Sequence, residues 1–257
     1  MILDDIIADK IPEVERRKRE LPIRQLEKMA ETAPPALDFA AALRGERIRV
    51  IAEVKKASPS KGVIRADFNP VEIAEIYAGS GAAAISVLTD KTYFMGSLAY
   101  LADIKKSGKT QIPLLRKDFI IDEYQVYEAR AFGADAILLI AAVLDAKTLR
   151  NFLELSCRLG MKCLVEVHNE REVYSALESK AAIVGINNRD LHTFNVNVET
   201  TGKLRDLIPE GIITVSESGI QNRHDMEKLK EWNIDAVLIG ESLMKSPDIA
   251  AAMKEFV

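Results

Sequence analysis

The sequence is poor in cysteine, in histidine and in long apolar runs, and each shortage removes a class of function. Its two cysteines, Cys157 and Cys163, fall in a helical and a strand-like segment, and no Cys-x-x-Cys occurs. Both read as small buried hydrophobes of a reducing cytosol, with neither a disulfide nor a thiolate metal site expected. The three histidines, His168, His192 and His224, share no ligand spacing, so no metal is expected. No apolar run approaches the roughly 18 residues of a membrane span. The acidic start Met1-Ile2-Leu3-Asp4-Asp5 lacks the basic region of a secretory leader. Thirty-five Lys and Arg against 39 Asp and Glu leave a net charge of -4, without the basic excess that nucleic acid requires. The one basic run, Arg16-Arg17-Lys18-Arg19, is flanked by acids and reads as a solvated helix face. What remains is an ordinary soluble globular chain of 257 residues, 48% hydrophobic and 29% charged, expected in the cytoplasm.

Against that background, one segment stands out. The apolar run from Ile48 to Val54 reads as a buried strand, yet it contains Glu53 and continues into Lys55, Lys56 and a Ser58-Pro59-Ser60-Lys61-Gly62 turn. Side chains alternate along a strand, so Glu53 and Lys55 face one side. An acid and a base so placed shift each other's pKa and suit proton transfer. The pattern recurs. Ala83–Leu88 ends in Thr89-Asp90, Ile112–Arg116 in Lys117-Asp118, and Cys163–Val165 in Glu166. Ile183–Ile186 ends in Asn187-Asn188-Arg189, Ile212–Val215 in Ser216-Glu217-Ser218-Gly219, and Ala236–Ile239 in Gly240; Asp135–Ile140 completes the set. Helical patterns fill the gaps, among them Pro70–Tyr77 with its helix-start proline and a pattern closed by Gly160. Eight strand–helix units in this length predict a (β/α)₈ TIM barrel over 46–257, preceded by an N-terminal helical extension over 1–45. An open doubly wound sheet fits less well, because no Gly-x-Gly-x-x-Gly turn follows a strand. The extension has helical patterns near Ile6–Leu21 and Leu37–Leu43 and is expected to cover the barrel mouth, where a lid excludes water.

A barrel gathers its strand C-termini on one face. Glu53, Lys55, Lys117, Glu166, Asn187, Arg189, Glu217 and Ser218 would then ring one pocket, and so many charges in a dry mouth point to chemistry. Leu164 and Val165 beside Glu166 are a setting that raises a carboxyl pKa, which would make Glu166 an acid for a leaving hydroxide. The loops at Ser216–Gly219 and Gly240–Met244 follow the seventh and eighth strands, the usual barrel phosphate site. Glu241 is awkward beside an anion, so only its backbone N–H is expected to serve.

Taken together, these segments resemble the indole-3-glycerol phosphate synthase family. The resemblance runs along the whole chain: Ile51–Ser60, Leu88-Thr89-Asp90, Tyr93-Phe94-x-Gly96, Leu115–Phe119, Ala134–Ile140, Leu164–His168, Gly185–Leu191, Ser216–Ile220 and Val237–Gly240. It implies ring closure of 1-(2-carboxyphenylamino)-1-deoxyribulose 5-phosphate with loss of carbon dioxide and water, no cofactor, and room for docking with other enzymes of tryptophan biosynthesis. By the same resemblance Lys117 is the acid at the carbonyl, while Glu53, Lys55 and Glu166 serve the later proton transfers. Asn187, Arg189 and Ser218 position the substrate, and Glu217 lies near the anthranilate nitrogen. Lys56, Ser58, Gly219, Gly240 and Glu241 hold the phosphate or adjacent polar groups, and Phe94, Phe119, Leu138 and Ile239 wall the aromatic ring. Asn188, where relatives often carry Ser, Thr or Val, is expected to be without consequence. Pro12 is expected to delay or kink the first helix. A Schiff-base aldolase-like barrel would explain Lys117 but leaves Glu53 and Lys55 without a task. A non-catalytic scaffold would tolerate loss of charged strand ends, and none is lost.

Overall fold

The computed structural model describes residues 2–190 and 195–257; His192 and the Leu191 of the family motif lie outside them. Eight parallel strands close into a barrel: β1 (Arg49–Val54), β2 (Ala84–Leu88), β3 (Leu114–Lys117), β4 (Ala136–Ile140), β5 (Lys162–Val167), β6 (Ile183–Asn187), β7 (Ile213–Glu217) and β8 (Ala236–Ile239). Closure comes from β1, which pairs Arg49 with Ala236 on one side and Ile51 with Ala84 on the other. Along β1 the apolar run divides by parity. Val50, Ala52 and Val54 pack outward against the helical layer, and Ile51 packs inward. That alternation, repeated round the barrel, aims the strand-end polar residues at one mouth.

The outer helices start where the sequence supplies caps. α4 (Pro70–Gly79) begins after Asn69, whose side chain accepts from Val71 N and Glu72 N. α5 (Leu98–Ser107), α6 (Glu123–Ala131), α7 (Ala146–Arg158) and α8 (Glu170–Glu178) are capped by Ser97, Asp122, Asp145 and Asn169. Such caps are worth about 1 kcal/mol each. The outer layer is completed by α9 (Glu199–Arg205), α10 (Arg223–Glu231), α11 (Glu241–Lys245) and α12 (Ile249–Met253).

The extension forms α1 (Ile2–Glu20), α2 (Ile23–Thr32) and α3 (Phe39–Ala42). α1 starts at Ile2 and passes through Pro12, so the late start expected from that proline does not occur. α2 was not read as a helix from the sequence, although Ile23, Leu26, Met29 and Ala30 recur at helical spacing. Leu26 and Ala30 are buried, with Leu26 clustered with Val14 of α1 and Tyr124 of α6. The extension reaches both ends of the barrel. Ile2, Leu3 and Ile6 line the cavity at the mouth. Phe39 and Leu43 are fully buried in the inner-barrel cluster with Ala84, Ala136, Ile183 and Ala236, the first residues or so of their strands. Burial of each such side chain contributes about 1.5–3 kcal/mol, so α3 closes the far end as a plug. Among the described residues, no helix is long and apolar enough to cross a membrane.

Candidate active site

The strand C-termini surround a cavity of about 510 Å³. Its lining brings together Glu53, Lys55, Ser58, Phe94, Lys117, Phe119, Leu138, Glu166, Asn187, Arg189, Glu217, Ser218, Gly219, Ile239, Gly240 and Glu241. Lys56 is not brought in. It follows Lys55 by one residue and so turns to the other side, where its ammonium lies 6.0 Å from the centre of the Phe68 ring.

Two acid–base groupings line the cavity. On β1, Lys55 Nζ lies 2.5 Å from Glu53 Oε2. On β3, Lys117 Nζ donates to Glu166 Oε2 at 3.2 Å and stands 3.7 Å from Glu217 Oε2. Burial opposes the charge on Lys117, but the carboxylates of Glu166, Glu217 and Glu53 overcome it and hold the ammonium above its ordinary range. For Glu166 burial acts against ionisation, and Lys117 and His168 more than reverse it, bringing the group below the usual carboxylate range. The sequence expectation of a raised Glu166 is therefore corrected: the cations facing it outweigh its apolar neighbours in the chain. The raised carboxyl is Glu217, pushed up to about 8 by burial and then by the negative charge of Glu166. Neither carboxyl oxygen of Glu217 has a hydrogen-bond partner, which fits a neutral carboxyl awaiting one.

The remaining lining divides into an apolar wall and a polar rim. The Phe94 and Phe119 rings stand 6.2 Å apart at 37° on one side. On the rim, Ser58 Oγ is buried without a protein partner. Asn187 Oδ1 accepts from Arg189 N at 3.0 Å and so steers the chain as it leaves β6. The Glu241 carboxylate pairs with Lys245 at 2.6 Å and lies 3.8 Å from Arg189. Ser218 has φ +66, a left-handed conformation in a non-glycine residue, placed between β7 and its loop. Its carbonyl accepts from Asn188 Nδ2 at 3.0 Å. Asn188 also reaches Ser216 Oγ and accepts from Thr201 Oγ1 at 2.8 Å. Asn188 is thus a buried tie between β6, β7 and α9 that holds the Ser218 turn.

Three contributors escaped the sequence reading. Gly185, mid-strand in β6, leaves the space into which Glu217 Oε1 projects; a Cβ there would collide with it. Gly240, already read from the sequence as a phosphate-loop residue, does the same for Glu53 Oε2. Glycine inside an apolar strand was the available signal of close approach. Lys10 of α1 is 2% exposed and bridges Asp90 at 2.8 Å and Asp118 at 3.0 Å, tying the extension to the ends of β2 and β3. Asp118 in turn accepts from Thr89 Oγ1 at 2.6 Å and Arg116 Nη2 at 2.9 Å. Finally, His168 places Nε2 3.4 Å from Glu166 Oε1, and its partners are carboxylates.

Comparison with known proteins agrees with this geometry. The family model described as indole-3-glycerol phosphate synthase matches residues 3–256. The indole-3-glycerol phosphate synthase of Dehalococcoides mccartyi (strain CBDB1) is 57% identical over 259 aligned positions, covering 100% of both chains. That of Roseiflexus sp. (strain RS-1) is 51% identical over 99% of this chain and 97% of its own. A solved 3-hexulose-6-phosphate synthase, 15% identical with a TM-score of 0.60 over 81% of this chain and 98% of its own, shares the fold alone. Sequence match, barrel topology and the ring of strand-end charges agree, and the chain belongs to the indole-3-glycerol phosphate synthase family.

Proposed function

We propose that this chain closes the ring of 1-(2-carboxyphenylamino)-1-deoxyribulose 5-phosphate, releasing carbon dioxide and water to leave indole-3-glycerol phosphate. The observation that carries the reading is the position of Lys117, an ammonium held charged among the carboxyl groups of Glu166, Glu217 and Glu53 and facing an apolar wall. The aromatic carbon attacks the ketone carbonyl, and Lys117 gives its proton to the developing alkoxide. The carboxylate then leaves as carbon dioxide, restoring the benzenoid ring. Phe94 and Phe119 hold that ring, and dry walls strengthen every charge interaction beside it. Glu217, neutral at pH 7, donates toward the anthranilate end.

Dehydration is proton-neutral: hydroxide leaves with a proton, and a ring C–H gives one up. The Glu53–Lys55 pair supplies both roles within one contact. Asn187, Arg189 and Ser218 orient the chain hydroxyls, and the phosphate lies at Gly219, Gly240, Ser58 and the backbone of Glu241, after β7 and β8. Its place is the cytoplasm, with the other enzymes of tryptophan biosynthesis.

Lys117→Met tests the reading. Ring closure should slow by about 10²–10⁴-fold or more while substrate still binds. A single-turnover rate within about threefold of wild type refutes the role of Lys117. Borohydride with substrate should trap no adduct on Lys117; a trapped amine would favour Schiff-base chemistry instead.

A further inference from the structure

Ring closure and decarboxylation take up a proton. The carbonyl oxygen gains one as the carbon–carbon bond forms, and an ionised carboxylate leaves as carbon dioxide without giving one back. Dehydration returns as many as it takes. Each turnover therefore draws one proton from solvent, and it must reach Lys117, which starts the next cycle as an ammonium. The mouth is where substrate and product sit.

A second way in lies beside β5. Glu166 Oε2 touches Lys117, and its other oxygen faces His168 Nε2 at 3.4 Å, a charge contact rather than a formed hydrogen bond. Glu172 fixes the imidazole. Its Oε2 accepts from His168 N at 2.8 Å and lies 3.0 Å from Nδ1. Its Oε1 accepts from Asn169 Nδ2 at 2.6 Å. Nδ1 is thereby held as a donor, and Nε2 is aimed at Glu166. Unlike Glu166, 2% exposed, His168 borders a separate cavity of about 720 Å³. That cavity is lined from α1 by Asp4, from the β4–α7 loop by Asp145, from α8 by Arg171 and Glu172, and after β6 by Asp190. Leu3 lines both cavities.

We propose that His168, oriented by Glu172, is the proton inlet of the active site, delivering to Lys117 through Glu166 from the second cavity while the mouth is occupied. The proposal rests on the function inferred above. The Nε2–H bond breaks as an O–H bond forms on Glu166. The carboxyl then turns and passes that proton to the spent Lys117 amine, and the imidazole regains one from water. The resting charges suit the direction. Burial opposes a charged imidazole, but Glu166 and Glu172 prevail and push His168 up to about 10, so the inlet is loaded at neutral pH. Once Lys117 has given up its proton, one of the two cations that kept Glu166 ionised is gone, and Glu166 becomes a better acceptor than it was.

His168→Asn separates this role from simple support of Glu166. The first turnover uses the proton already on Lys117 and should stay within about threefold of wild type, while steady-state kcat falls about 10²-fold. KM should move much less than kcat, and added imidazole should restore turnover. Equal slowing of first and later turnovers without imidazole rescue overturns the proposal, as does unchanged steady-state turnover. If the asparagine variant does not fold, Glu172→Gln carries the same comparison with a smaller loss. Wild type run alongside keeps the two readings apart. A wild type that makes no indole product refutes the function, whereas a productive wild type with a uniformly slowed variant refutes only the inlet.

Discussion

At the scale of single residues, the site turns on Lys117, whose ammonium lies 3.2 Å from Glu166 and 3.7 Å from Glu217. Parity along β1 is enough to put Glu53 and Lys55 on one side and Lys56 on the other. The pKa order of Glu166 and Glu217 depends on which of them reaches Lys117, and that is set by strand neighbours far apart in the chain. Glu166→Gln now has a different expected outcome from the one its apolar neighbours suggested. Because Glu166 sustains the Lys117 ammonium, ring closure should slow at least as much as dehydration. Rapid quench should show carbon dioxide and indole product appearing together; carbon dioxide running ahead would restore Glu166 as the dehydration acid. Glu217 makes a pH prediction. Its carboxyl is raised to about 8 in the folded protein, from 4.5 as the ordinary value, so the folded chain keeps a proton that the unfolded chain has lost. That difference removes stability as pH rises from about 4.5 to about 8, by up to a few kcal/mol. Denaturant titrations should show Glu217→Gln gaining stability relative to wild type across that window; a constant difference would place Glu217 ionised throughout. Gly185→Ala should displace the same carboxyl and lower kcat with the barrel still folded, as read by near-ultraviolet dichroism.

Among the elements, the eight strands were readable because each is an apolar run closed by polar residues, and their helices because caps and helix stops punctuate them. The extension was read only in part. α2 was missed although Ile23, Leu26, Met29 and Ala30 recur at helical spacing, and it is held by Leu26 and Ala30 against its neighbours. α3 works at the end of the barrel opposite the mouth, a place that sequence position cannot reveal. The joint between extension and barrel is Lys10, buried with Asp90 and Asp118. Removing one member of a buried ion cluster costs about 3–5 kcal/mol, because the charges left behind stay desolvated. Lys10→Met should therefore lower stability by that order and increase hydrogen exchange in α1 above that in β5. Unchanged exchange in α1 would mean that the apolar contacts of Val14 hold the helix without the ion cluster.

For the whole molecule, closure of β1 against β8 brings residues from 53 to 241 within one cavity of about 510 Å³. That fold class was legible from rhythm alone, whereas the depth of the mouth was not, since α1 contributes Ile2, Leu3 and Ile6 to it. The phosphate reading is also a whole-molecule statement, because its loops come from neighbouring strands. Inorganic phosphate should compete with substrate and occupy the Gly219–Gly240 loops in crystals; an unchanged apparent KM at saturating phosphate would remove that site. The central claim is tested most directly by supplying 1-(2-carboxyphenylamino)-1-deoxyribulose 5-phosphate to the purified chain and following indole fluorescence together with released carbon dioxide. The account predicts both signals in equal amounts from the wild type and neither from Lys117→Met. Absence of indole product from the folded wild type, or equal turnover by the two proteins, would contradict it.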